Sequence, residues 1–110
     1  MVKHFEVFIV EDADRDLFDI YSYIERHDSV ENAEYVFAAI QDTILGLSTL
    51  PSRGHVPPEL EHIGIFEYLE IYFKPYRVIY QIRENKIYIH CILDGRRSLQ
   101  ELLQERLIRS

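Results

Sequence analysis

Along Lys3–Val10, Phe5, Val7 and Ile9 alternate with His4, Glu6 and Phe8. A period of two in β-branched and aromatic residues predicts a strand. Past Asp12 the period lengthens: Leu17, Ile20, Tyr21 and Ile24 recur at helical spacing. This predicts a helix from about Ala13 to Arg26, with Asp12 or Asp14 capping its exposed N–H groups and an acidic first turn suiting the dipole. His27-Asp28-Ser29 interrupts the pattern, and Ser29 is a good N-cap for a second helix over about Val30 to Leu50. Ala33, Phe37, Ile40, Ile44 and Leu47 mark its apolar face, and Pro51 stops it. A connection of about three residues makes the pair an αα-hairpin.

Pro51 to Gly64 reads as a loop, with Gly54, Pro57 and Pro58 inside it. Alternation returns at about Ile65–Phe73, Tyr76–Arg83 and Lys86–Leu93, with turns at Lys74-Pro75 and Glu84-Asn85. Such short connections predict antiparallel hairpins. In the middle strand Tyr76, Val78, Tyr80 and Ile82 share one face, and Arg77, Ile79, Gln81 and Arg83 the other. In the last strand Ile87, Ile89, Cys91 and Leu93 are expected opposite Tyr88, His90 and Ile92. Ser98-Leu99-Gln100-Glu101 is a capping-box pattern opening a short C-terminal helix with Leu99, Leu102, Leu103 and Leu107. The order β-α-α-β-β-β-α predicts an α+β fold, a helix hairpin packed on a largely antiparallel four-stranded sheet.

The chain's 110 residues suit one domain, taken as 1–110, with enough buried surface for a core without staples. No run approaches a membrane span, and Met1–Val10 does not read as a signal peptide, because Glu6 interrupts it and no small-residue cleavage site follows. One cysteine, Cys91, excludes an internal disulfide and a multi-Cys zinc site. Together these features point to the cytoplasm. Twelve Lys and Arg against 19 Asp and Glu leave a net charge of −7, which opposes approach to a polyanion.

Ala13-Asp14-Arg15-Asp16-Leu17-Phe18-Asp19-Ile20-Tyr21-Ser22-Tyr23-Ile24 resembles the first helix of the RelE/ParE superfamily of small toxins from type II toxin–antitoxin systems. Asn32-Ala33-Glu34-Tyr35-Val36-Phe37, followed by Ile40, is similar to the second helix. Leu47 to Gly54 matches its L-x-x-x-P-x-x-G exit. Tyr76-Arg77-Val78-Ile79-Tyr80 matches its YR-apolar-apolar-Y strand, and Gly95-Arg96-Arg97 its G-R-R after the last strand. The resemblance runs from about Lys3 to Leu107 and is closest to the ParE-like branch, linked with plasmid stabilisation. It implies a toxin that poisons DNA gyrase without cofactor or metal. It also implies neutralisation by the C-terminal segment of a ParD-like antitoxin in a hetero-oligomer, with no membrane and no sequence-specific nucleic-acid partner. The RelE-like branch, which cleaves mRNA on the ribosome, is the alternative. A non-toxic relative that only binds antitoxin is another.

Shared scaffolds leave function to the site residues. RNA cleavage at a 2′-OH needs a base, positive charge on the phosphate and an acid. The RelE-like branch carries two lysines one residue apart in the strand before Tyr-Arg. Here those places hold Tyr68 and Glu70, and a carboxylate facing phosphate at about 4 Å would cost about 4 kcal/mol at an effective dielectric near 20. The C-terminal catalytic tyrosine falls near Leu103, and no histidine follows His90. Arg77 and Arg97 are the residues a nuclease would retain, and they complete no acid–base pair.

The candidate partner-binding residues are Arg77, Arg83, Arg96, Arg97, Tyr72 and Tyr88. Arg77 either faces a partner or pairs with Glu70 or Glu67 across the hairpin. Tyr72 and Tyr88 form a patch if they share the outer face. Asp94 stands where many ParE-like relatives have His, lowering the local positive charge. His55 and His62, with Glu59 and Glu61 nearby, are a weak metal pattern without cysteines. The expected landing zone for an antitoxin is the groove between helix hairpin and sheet, with an apolar-dominated interface that the arginines complement locally.

Overall fold

The computed structural model describes residues 4–109. The elements are β1 (Glu6–Ile9), α1 (Glu11–His27), α2 (Val30–Leu45), α3 (Pro58–Glu61), β2 (Leu69–Phe73), β3 (Tyr76–Arg83), β4 (Lys86–Asp94) and α4 (Leu99–Arg109). The sheet order is β1-β4-β3-β2, with β1 parallel to β4 and the other pairs antiparallel. The α+β fold and the β-α-α-β-β-β-α order are those expected, with the small α3 added within the loop.

The helix hairpin forms because both helices carry one apolar stripe. Ala13, Leu17, Ile40 and Ile44 meet Val78, Tyr80, Ile87, Ile89 and Ile92 in the main core. Ser29 caps α2 as expected, its Oγ accepting the Asn32 N–H at 3.0 Å. Neither Asp12 nor Asp14 caps α1. The helix begins at Glu11, and its N-cap is Val10, which offers no side-chain bond. The Val10 N–H is still held by Ile89 O in the sheet, so the strand feeds directly into the helix. The second helix also ends early, at Leu45, and a 3₁₀ turn over Gly46–Ser48 carries Leu47 into the core.

Two expectations about the sheet change. Residues 65–68 do not extend β2. Ile65 donates its N–H to Leu60 O instead, and Ile65 and Tyr68 pack over the sheet's outer face. In β4 the strict alternation breaks. Ile79 pairs with Cys91 but Tyr80 with Ile89, leaving His90 as an extra residue. A bulge of this kind resets which side chains face which way. Ile87, Ile89 and Ile92 enter the main core, whereas Cys91 and Leu93 face the other side. There they join Leu60, Ile79, Leu99 and Leu102 in a second core under α3 and α4. The sheet is therefore covered on both faces. The helix hairpin takes one face, and α3 with α4 covers one end of the other.

Candidate partner-binding site

Tyr80 holds the chain that leads into this outer face. Its buried hydroxyl donates to Pro51 O at 2.7 Å and accepts the Gly54 N–H at 3.1 Å. A Cβ on Gly54 would come within 2.6 Å of both Glu70 O and the Tyr80 hydroxyl oxygen. One phenol thus reads out both the Pro and the Gly of the helix exit. The loop is then pinned to β2 by reciprocal His55–Glu70 backbone bonds at 3.1 and 2.7 Å. That delivers α3, with Pro58 in its first turn, over the end of β3.

Arg77 lies there, 8% exposed. Its Nε and Nη2 donate to Glu70 at 2.9 Å each, and its Nη1 and Nη2 donate to Glu59 at 2.8 and 2.7 Å. Two carboxylates therefore grip one guanidinium, the forked geometry that suits arginine. Glu70 is fully buried. The bond to Arg77 draws the Glu59 carboxyl below its ordinary range, against the opposing effect of burial. Reciprocally, the Glu59 bond, with help from Glu70, holds Arg77 protonated more firmly still. The cross-strand Glu70 partner was legible in the sequence; Glu67 takes no part. Glu59 was not expected, although Pro-Pro-Glu is a helix-start signal that marks it.

An open cleft of about 710 Å³ lies beside this triad, lined by Glu59, Tyr72, Lys74, Arg77, Asp94 and Arg96. The turn after β4 forms its wall, stitched to the β2–β3 turn by Gly95 N–H to Pro75 O at 2.8 Å. Asp94 accepts from the Arg96 amide at 3.0 Å and from its guanidinium at 3.2 Å. Those bonds hold the Asp94 carboxyl low. Burial and neighbouring Glu70 push the Tyr72 phenol up. The cleft gathers three of the six candidate residues, yet its two arginines already face carboxylates.

The other three lie elsewhere. Arg97 lines a neighbouring depression with Asp12, Asp16, Asp19, Glu105 and Arg106. Arg83 and Tyr88 sit at the far end of the outer face, the guanidinium carbon 5.6 Å from the ring centroid. Tyr72 and Tyr88 do share that face, but they do not form one patch. Tyr72 is level with Arg77 and Leu93, and Tyr88 with Gln81. Along β3, which carries no extra residue, those levels lie four strand positions apart, about 13 Å.

Of the remaining positions, Tyr68, His90, Leu103 and Cys91 are wholly or partly buried, whereas His55 and His62 are exposed. Tyr68 stands edge-on to His90, with ring centroids 5.6 Å apart. His90 contacts the Gln81 amide oxygen at 2.7 Å, and burial lowers its pKa. Leu103 packs partly buried against the second core. Burial pushes the Cys91 thiol up to about 12. The His55 ring lies against Tyr72, and His62 ends α3. The expected hairpin–sheet groove is filled by the main core along most of its length. It opens at the hairpin tip, as a hollow of about 440 Å³ among Tyr23, Val36, Phe73 and Tyr76. Among the described residues no helix is long and apolar enough to cross a membrane.

A polar clasp closes the free part of the β4 edge, where β1 has already turned away. The Asp16 carboxylate accepts the Ile92 N–H at 2.9 Å, and Arg106 donates to His90 O at 2.8 Å. Arg106 and Asp16 are themselves ion-paired, tying α4 to α1.

Residues 7–99 match the family described as the ParE toxin of type II toxin–antitoxin system, parDE. Solved structures with the same fold include one titled the chromosomal ParDE TA system from P. aeruginosa. It has a TM-score of 0.70 and 16% identity, over 84% of this chain and 97% of that one. Another is the toxin–antitoxin complex RelBE2 from Mycobacterium tuberculosis, with a TM-score of 0.63 and 18% identity, over 86% and 94% of the two chains. No curated protein matches in sequence.

Proposed function

Because the chain belongs to the ParE toxin family of type II toxin–antitoxin systems, we propose that it inhibits growth by gripping DNA gyrase through its surface, with no bond-making chemistry of its own. A cognate antitoxin neutralises it in a cytoplasmic hetero-oligomer. Both similar structures come from toxin–antitoxin systems, which supports an antitoxin partner. In this reading residues 1–110 act as one toxin domain.

The observation that carries this reading is the Arg77 triad. A ribonuclease on this scaffold would need free cations and a proton carrier around the scissile phosphate. Here Glu70 is buried beneath Arg77, and Glu59 takes the guanidinium's remaining edge. An incoming phosphate would have to displace Glu59 and would still face the carboxylate of Glu70. Tyr68 and Leu103 pack, partly buried, against the second core and line a hollow of about 570 Å³ whose walls carry Glu67 and Glu101 and no Lys, Arg or His.

Primer extension on mRNA from translating ribosomes tests the chemistry. The expected result is intact message at growth-arresting levels of the protein. Codon-positioned cuts that vanish with Arg77→Ala would replace this reading with the ribonuclease. Growth unimpaired by strong expression of the chain without its antitoxin would remove toxicity altogether.

A further inference from the structure

At the uncovered end of the outer face, Phe8 of β1 and Tyr88 of β4 stand level in the sheet and stack, with centroids 5.5 Å apart and planes 20° apart. A cation lies over each ring. The Arg83 guanidinium carbon is 5.6 Å from the Tyr88 centroid, and the Lys86 Nζ is 6.0 Å from that of Phe8. Phe8 is 40% exposed. Among the described residues, the second core under α3 and α4 includes Ile79, Cys91 and Leu93 but neither Phe8 nor Tyr88.

These two cations differ from the arginines of the cleft and of the neighbouring depression. Arg77 holds two carboxylates, Arg96 holds Asp94 and Arg106 holds Asp16. Arg83 bonds the neutral amide oxygen of Gln81, at 3.0 Å. Neither Arg83 nor Lys86 forms an ion pair among the described residues. On a chain of net charge −7, this corner joins two cations outside any ion pair among the described residues to one exposed and one half-buried aromatic ring, with Glu6 level with Lys86.

We propose that the Phe8–Tyr88 corner is the docking site for an acidic, apolar-anchored segment of a protein partner. This rests on the toxin reading above and assigns the segment to the antitoxin. Carboxylates of the segment pair with Arg83 and Lys86, and its apolar side chains pack on the two rings. Glu6 on β1 and Glu84 in the adjoining turn border the corner and limit its reach for a longer acidic run. The same features disfavour RNA. Affinity for a phosphate chain scales with the number of phosphates neutralised, and about two cations supply little of it.

The test is fluorescence anisotropy with a short labelled peptide of glutamates interrupted by leucines, and in parallel with oligouridine. The protein variants are Arg83→Gln/Lys86→Gln, Phe8→Ser, and Arg26→Gln/Arg53→Gln as a charge-matched control, each checked for folding by thermal melt. The peptide is expected to lose about tenfold in affinity with either corner variant and less than about twofold with the control. Equal loss in the two charge variants, no binding by the wild type, or tighter binding of oligouridine would overturn the proposal. Gyrase inhibition measured on the same wild-type preparation reports on the toxin reading separately. A protein that ignores the peptide yet inhibits gyrase sinks only the docking site, and the reverse result sinks only the gyrase reading.

Discussion

Glu70 lies diagonally across the β2–β3 ladder from Arg77, and its buried carboxylate accepts two of that arginine's N–H groups at 2.9 Å. The pair, with Glu59, is closed on itself. Breaking a buried pair strands the remaining charge, whereas replacing both partners with apolar residues does not. Arg77→Ala is therefore expected to destabilise the fold by about 3–5 kcal/mol. The double change Arg77→Met/Glu70→Leu should recover most of that loss in urea titrations. Equal destabilisation by the single and the double variant would contradict the pairing.

Glu59 gives the triad a pH signature. Its carboxyl is held below the ordinary range, chiefly by the hydrogen bonds from Arg77. A depressed carboxyl contributes stability that is present above its unfolded pKa and is lost as pH falls through the folded one. Asp16 works in the opposite direction. Burial raises its pKa, so its contribution declines as pH rises from its unfolded value. Glu59→Gln should thus flatten the loss of melting temperature below about pH 4.5. An acid limb as steep as that of the wild type would show that Glu59 is not held by Arg77 in solution.

The Tyr80 hydroxyl serves Pro51 and Gly54 together. Tyr80→Phe leaves a donor and an acceptor near the core without partners, at about 1–3 kcal/mol. Gly54→Ala forces a methyl group against Glu70 O and the Tyr80 hydroxyl, and should cost about 1–3 kcal/mol by overpacking. Chemical denaturation checks both. A Gly54→Ala protein as stable as wild type would mean the exit loop is looser than this packing requires.

How much of this was legible beforehand depended on the range of the interaction. Ser29, the αα-hairpin and the β2–β3–β4 meander follow from neighbours within a few residues, and each is present. The α1 cap failed because Val10 is committed to the sheet through Ile89, a partner distant in sequence. The faces of β4 reversed past Ile89 because alternation assumes an unbroken ladder and His90 is an extra residue in it. Glu70 was recognisable as a cross-strand partner of Arg77. Glu59 reaches the same guanidinium from a loop whose path is set by Tyr80. Periodicity identifies the apolar stripe of α4 but not which sheet face it covers. Arg83 and Tyr88 were named as candidates, while their companions Phe8 and Lys86 emerge only from the β1–β4 register.

The Asp16–Arg106 clasp joins residues at opposite ends of the chain and caps the β4 edge. Arg106→Ala removes a cation from a largely buried carboxylate and leaves His90 O uncapped. The expected cost is about 2–4 kcal/mol. Hydrogen exchange at the Ile92 amide should accelerate alongside, because Asp16 loses the partner that orients it. Unchanged exchange at Ile92 would place the anchoring of α4 in its apolar contacts alone.

The central claim is that this fold acts by holding a larger machine rather than by cutting RNA. Supercoiling of relaxed plasmid by purified gyrase, followed as the protein is added, tests it most directly. The account predicts progressive loss of supercoiling, restored by the cognate antitoxin. Full supercoiling at high excess of folded protein would contradict it.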